Sequence, residues 1–311
     1  MERRRRICDL DPKQTPHWPF QVGSERDTCH AEAVTDTRET LRIATWNIQW
    51  KFGKFEERQP AILETIKQLQ PDVIGLQESW PGQVERLAET LGYEHAWIGH
   101  QPDDHGDFTG DAGAAARDPE KGMGNAVLSR HPILEREHVF LDDGKGRKYR
   151  TTLGTLIATP HGMLPFFSTH LNFRYDESLI RQSQLTEASE FIEALAVGEL
   201  PPVLVGDLNA VPDSDEIRRL TGRGAPYVSG RIWTDSWEQV GEGPGITWSD
   251  ESPYINNSAW PNRRLDYVLI GWPRENRPRG NPQSAELFGT EPVDGIVPSD
   301  HYGVVVEMIT G

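Results

Sequence analysis

Nowhere in the 311 residues does an apolar run approach the ~18 to 20 needed to cross a bilayer as a helix, so no transmembrane segment is expected. Cysteine is almost absent. Cys8 and Cys29 both fall in the polar N-terminal stretch, and a chain long enough to bury its own core needs no disulfide between them, so none is expected. Basic charge is short as well: 32 Lys and Arg stand against 48 Asp and Glu, a net charge of −16, and beyond residue 40 the balance is 25 against 40. Non-specific nucleic-acid binding works by cationic side chains displacing counterions from the phosphate backbone, and this body has no overall field to favour it. Four arginines, Arg3 to Arg6, open the sequence, but Ile7-Cys8-Asp9-Leu10-Asp11 follows where a secretory signal would need an unbroken apolar core. The expectation is a soluble, cytoplasmic protein with no protein partner indicated. Internal repeats are also missing, which excludes solenoids and propellers.

Residues 1–40 mix charge, Pro and Thr without a sustained period and read as a flexible or surface-draped arm. Residues 41–311 read as a single catalytic domain. Arg42 to Ile48, Asp72 to Gln77, Asn125 to Leu128, Thr151 to Ala158, Leu164 to Thr169, Val203 to Val205, Leu265 to Ile270 and Val304 to Ile309 are short apolar stretches expected as strands. Pro160-His161-Gly162 marks a hairpin turn. Helices are expected with Pro60 in a first turn before Ile62, Ile66 and Leu69, with Val84, Leu87 and Leu91 closed by Gly92, and from Glu177 to Leu195. The Asp- and Gly-rich stretch 101–122 reads as a long loop; Asp103, Asp104, Asp107 and Asp111 there do not match a cation-loop spacing. Strands alternating with a few helices point to stacked sheets covered by helices.

Five polar clusters close these apolar stretches: Thr45-Trp46-Asn47, Leu76-Gln77-Glu78-Ser79, Ser168-Thr169-His170-Leu171-Asn172, Gly206-Asp207-Leu208-Asn209 and Ser299-Asp300-His301. Glu78 after a buried strand offers the hard oxygen that Mg²⁺ takes. Asp207 and Asn209 lie two apart and so project to one side of their strand end. His170 and Asn172 repeat that spacing. His301 has two carboxylates to choose from, the adjacent Asp300 and Asp266 of Arg264-Leu265-Asp266-Tyr267; either could fix its tautomer and favour its protonated form. The composition suits a divalent cation held beside a phosphate.

The ordered set Thr-Trp-Asn, Leu-Gln-Glu, Gly-Asn-Ala-Val-Leu-Ser-Arg (124–130), Thr-His-Leu-Asn, Gly-Asp-Leu-Asn, Arg-Leu-Asp-Tyr and Ser-Asp-His resembles the endonuclease/exonuclease/phosphatase superfamily over residues 41 to 309. That superfamily includes deoxyribonucleases, abasic-site endonucleases, neutral sphingomyelinases, inositol-polyphosphate phosphatases and tyrosyl-DNA phosphodiesterases. The resemblance implies an α/β fold, a four-layer α/β sandwich of two packed mixed β-sheets flanked by helices. It also implies a metal-dependent hydrolase acting on phosphate esters, with Mg²⁺ or Mn²⁺ as cofactor and direct in-line attack by water. By motif position, Glu78 would be the main metal ligand with Asn47 beside it, and Asp300 would reach the metal region. Asp207 would orient or deprotonate the water, and Asn209 would hold the phosphate. His170 and His301 would donate to phosphoryl oxygens, with Asp266 supporting His301. Gln49 stands where abasic-site members carry an acidic residue, which weakens any case for a second tightly bound cation and tilts away from abasic-site repair.

Specificity should lie in loops. Lys145, Arg147, Lys148 and Arg150 crowd one hairpin beside Tyr149, and Asn172, Arg174 and Tyr175 follow the His170 motif as candidate substrate contacts. Trp248, Tyr254 and Trp260 are candidates for a pocket wall. The reading favoured is a phosphodiesterase or phosphomonoesterase acting on a small or lipid-linked phosphate. A DNA or RNA nuclease is the alternative, disfavoured by charge. A catalytically silent binding module ranks last, since Glu78, Asp207 and His301 are all present.

Overall fold

Two mixed six-stranded sheets pack face to face in the computed structural model of the chain, which describes residues 39–100, 122–142, 144, 146, 148–255, 262–272 and 279–311. The first sheet runs β11 (Pro282–Phe288), β12 (Gly303–Ile309), β1 (Thr40–Asn47), β2 (Val73–Ser79), β4 (Gly124–Ser129) and β3 (Glu94–Gly99). The second runs β5 (Ile133–Asp142), β6 (Lys148–Thr159), β7 (Gly162–His170), β8 (Val203–Asp207), β10 (Asp266–Trp272) and β9 (Ile232–Asp235). Only β1–β2 and β7–β8 pair in parallel, and each pair is bridged by a helix because parallel neighbours need a long crossover.

Alternation along the strands builds three apolar layers. Ile43, Val73, Phe166, Val203, Val205, Val268 and Val306 meet between the sheets. On the outer face of the first sheet Trp46, Ile74 and Leu128 pack against Ile62 and Ile66 of α1 (Phe55–Leu69) and Val84 and Leu87 of α2 (Pro81–Leu91). On the outer face of the second, Phe167, Leu204 and Leu269 meet Leu185 and Ile192 of α3 (Ser178–Leu195) and Ile217 of α4 (Asp215–Leu220). Helix, sheet, sheet and helix make the four-layer sandwich. A short α5 (Ser236–Val240) is capped by Asp235, whose side chain accepts from the backbone of Trp237 and Glu238. The sheets approach closely at Gly75 of β2, where any Cβ would run into the Val205 side chain of β8.

Several elements differ from the sequence expectation. Helix α1 starts at Phe55, so Pro60 sits in its second turn rather than its first. Strands β3, β5, β9 and β11 are additional. β5 carries Glu135, Arg136 and Glu137 as an exposed sheet edge, and edge strands of that kind lack the apolar signature of a buried strand. The hairpin at Pro160-His161 forms as expected, with Thr159 paired to Gly162. Residues 1–38 of the arm, both cysteines, the aspartates of 101–121, Lys145, Arg147 and Trp260 lie outside the described residues, while Thr40, given to the arm, opens β1.

Candidate active site

Strand register assembles the site. His170 pairs with Asp207 across β7–β8, and Asp207 pairs with Asp266 across β8–β10, so the three side chains form one row at the edge of the second sheet. Asn47 ends β1 on the facing sheet. Its Nδ2 donates to Glu78 Oε1 at 3.2 Å and to Asp207 Oδ2 at 3.1 Å, which ties the two sheets together at the site. Glu78 follows a bulge in β2 and has φ +55, a left-handed conformation that turns its carboxylate out of the alternation towards Asn47. The sheets are further stitched by Gln77, which accepts from Thr45 Oγ1 at 3.2 Å and donates to Ser168 Oγ at 3.0 Å.

The two histidines hold opposite charge states. His301 Nδ1 bonds Asp266 Oδ2 at 2.8 Å, and its Nε2 faces Asp207 Oδ2 at 3.8 Å. Burial pulls its pKa down, but Asp266, Asp207 and Asp300 outweigh burial and hold it well above the ordinary histidine range. His170 goes the other way: burial, then Arg150, His100 and His301, press it well below that range. Arg150 Nη1 lies 3.0 Å from His170 Nδ1. A guanidinium only donates, so Nδ1 accepts and the proton of neutral His170 sits on Nε2, 3.5 Å from Asp207 Oδ2. Asp207, 1 % exposed, accepts from Asn209 N at 2.9 Å; burial first and then Asp266 push its carboxyl up to about 6. Glu78 is pushed up to about 7, by burial and then by Asp300.

Glu78, His170, Asp207 and His301 line a cavity of about 740 Å³ together with Asn209, Arg150, Arg174, Tyr175, Asp300, Phe52, Met123, Phe173, Trp248 and Leu265. A larger depression of about 950 Å³ beside β11 is lined by Glu242, Asp250, Glu251 and Glu286 with no basic side chain, and lacks the means to hold an anion. Arg150 is 3 % exposed and has no carboxylate partner among the described residues; its neighbours are neutral His170 and, at 3.5 Å, His100. Burial and Arg150 also press His100 well below the ordinary range. The floor of the cavity therefore carries a cation whose charge no described acid balances.

Most of the expected residues converge, with corrections. Asn172 does not reach the cavity: its Nδ2 donates to Glu177 Oε2 at 3.0 Å and its Oδ1 accepts from Gln184 at 2.9 Å, so it braces the start of α3 instead of substrate. Asn47 presents its amide donors, not its oxygen, to the carboxylates, and that oxygen accepts from Gln49 N at 3.0 Å. Asn209 lines the cavity but donates to Leu171 O at 3.1 Å. Lys148 pairs with Glu187 at 2.8 Å and stands apart from the cavity, and Tyr254 donates to Val297 O, so the basic hairpin contributes Arg150 alone among its described residues. His100 and Arg58 escaped notice in the sequence. Arg58 falls one turn before Ile62 on the buried stripe of α1, and a charge on that stripe is the signal that could have found it.

Comparison with known proteins agrees with this fold. A structure of TDP2 from D. rerio complexed with single strand DNA product superposes with a TM-score of 0.65 at 21% identity, covering 86% of this chain and 98% of that one. An endonuclease/exonuclease/phosphatase family protein from Bacteroides thetaiotaomicron also gives 0.65, at 17% identity, covering 88% and 99%. The uncharacterized protein YbhP of Escherichia coli K12 is 28% identical over 191 residues, 55% of this chain and 67% of its own. The sequence profile of the Endonuclease/Exonuclease/phosphatase family matches residues 44–301, from β1 to His301 itself, and the chain belongs to that family.

Proposed function

We propose that the protein is a divalent-cation-dependent phosphoesterase that hydrolyses a small or lipid-linked phosphate ester by direct attack of water. One observation carries this reading: across a single cavity, raised carboxyls and a protonated His301 face a buried Arg150 that has no acidic partner among the described residues. Asp207, with its carboxyl near 6, is suited to accept a proton from water at neutral pH. Protonated His301 donates to a phosphoryl oxygen, and that hydrogen bond strengthens as negative charge builds on the oxygen. Arg150 and the Nε2–H of His170 add donors from the cavity floor. Asp266 keeps His301 oriented and charged.

The donor set fits a hard cation. The Asp300 carboxylate lies close enough to raise the cost of ionising Glu78, which a divalent ion between them would relieve. Those two residues would hold Mg²⁺ or Mn²⁺, which supplies neutralisation of the phosphate charge. A panel of phosphomonoesters, phosphodiesters, phospholipids and single-stranded DNA with either cation tests the reading; a folded protein that turns over none of them refutes it. The structural likeness to TDP2 with its DNA product, together with the exposed Phe173 and Tyr175 beside Arg174, favours a nucleic-acid end as the second reading. Nicking of plasmid DNA that is lost in His170→Ala would promote that second reading over the first.

A further inference from the structure

Arg58 is 0 % exposed and donates only to main-chain carbonyls. Nη1 reaches Ile48 O at 2.9 Å and Pro298 O at 3.0 Å; Nη2 reaches Gln49 O at 2.8 Å, Trp50 O at 3.0 Å and Phe52 O at 3.1 Å. No carboxylate lies within ion-pair distance among the described residues. Gln49 and Trp50 both have positive φ, +57 and +27, so the turn after β1 curls inward and aims its carbonyls at one point. Such a turn is strained for residues other than glycine, and it persists where surrounding contacts over-determine it. Five buried carbonyls converging without a donor would each lose the hydrogen bonds they make in water. The guanidinium is what makes this crossing possible, because a planar fork can bond several acceptors at once and an ammonium cannot.

Two halves of the site meet at this cation. The turn 48–52 continues directly from Asn47 and carries Phe52 of the cavity wall. Pro298, 240 residues away from Arg58 in the chain, leads straight into Ser299-Asp300-His301. A second tie runs in parallel, Ser299 Oγ donating to Asn47 O at 2.7 Å. Burial acts against the charge of Arg58, and Asp300 and Glu78 are among the groups near enough to favour it.

We infer that Arg58 is a positioning residue: by bonding the Asn47 turn and the Pro298 segment to one guanidinium, it fixes how far the Glu78 side of the site stands from Asp300 and His301. It touches neither substrate nor cation. The inference rests on the proposed function only in assigning a cation to the Glu78–Asp300 gap.

Arg58→Lys keeps the charge but offers three donors from one atom, too few and too concentrated for five carbonyls. The experiment compares it with the wild-type protein by hydrogen exchange of the segments 48–52 and 297–303, by calorimetric titration with Mn²⁺, and by steady-state kinetics. Expected are faster exchange at 297–303, by about tenfold or more, with exchange in α3 unchanged, an equally large loss of Mn²⁺ affinity, and a fall in kcat with substrate KM within twofold. A residue that merely stabilised the fold would lower Tm and leave the last two untouched. If the lysine variant does not fold, the same comparison is made on Arg58→Gln in trimethylamine N-oxide, which favours the compact state. Exchange at 297–303 within twofold of wild type, or unchanged Mn²⁺ affinity in a folded variant, overturns the inference. Should the wild type bind no Mn²⁺, the cation reading fails instead, and the exchange comparison still decides the role of Arg58.

Discussion

Replacing Asp266 by asparagine keeps the shape of the site while removing one charge, and its effect can be worked from a single contact. Asp266 Oδ2 holds His301 Nδ1 at 2.8 Å in a buried position. Hydrogen bonds to charged groups contribute about 1.5–3 kcal/mol, and that support of the protonated ring is what the substitution removes, so the pKa of His301 should fall. Burial, which already pulls it down, then meets weaker opposition from Asp207 and Asp300. The alkaline limb of kcat/KM should move to lower pH, and the acid limb should move the same way, because the Asp266 charge is one of the causes that push the Asp207 carboxyl up. The sign of the stability change follows. A histidine whose folded pKa is raised stabilises the fold below its unfolded value near 6.5, and loses that contribution as pH rises through the folded value. Asp266→Asn should therefore lose more Tm at pH 6 than at high pH. Titration of the His301 ring by NMR and a pH–rate profile measure both. If the ring titrates as in wild type, or the rate falls with the alkaline limb unmoved, Asp266 does not act through the charge of His301.

Asp207→Asn should lower kcat by about 10² to 10⁴ if Asp207 is the general base. Because its folded pKa is raised, the charged form is a burden at neutral pH, so the variant should melt no lower than wild type at pH 8 in calorimetry. Glu78 must shed a proton to bind a cation, so the apparent Mg²⁺ affinity should fall up to about tenfold for each pH unit below 7; Glu78→Gln should abolish that slope in a calorimetric titration. Arg150→Met removes a buried cation from the cavity floor and should raise substrate KM by about 10- to 100-fold, the loss of one or two charged hydrogen bonds; steady-state kinetics with KM unchanged would show that the phosphate lies elsewhere.

Polar residues at strand ends were readable because buried strands are bracketed by their own apolar runs. Val-Leu-Val-Gly before Asp207 and Leu-Pro-Phe-Phe before His170 locate both groups without any knowledge of pairing. Spacing alone leaves Asp300 and Asp266 both open as partners of His301; the family resemblance points to Asp266, and the structure puts its Oδ2 2.8 Å from the ring Nδ1. Asn172 was misread because, beyond the end of β7 at His170, both ends of its amide are taken by Glu177 and Gln184 at α3, partners that spacing from His170 does not reveal. Arg58 was missed because an arginine inside a helix ordinarily faces water. The polar edges β5 and β11 were missed because half their side chains are solvated, which erases the pattern a buried strand displays.

The row formed by His170, Asp207 and Asp266 sets where variation is tolerated. Neighbouring strands stand about 4.8 Å apart through main-chain hydrogen bonds, so the spacing of these three groups is inherited from a ladder that no side-chain replacement can stretch. The segment 173–176, which shapes the cavity mouth, hangs from the end of that ladder. If the proposed activity holds, exchanging it for a loop of another length should alter which ester enters while leaving the spacing of the row as it was. Reaction and substrate would then be encoded in separable parts of one chain, and a new specificity could be built by grafting a loop without redesigning the chemistry beneath it.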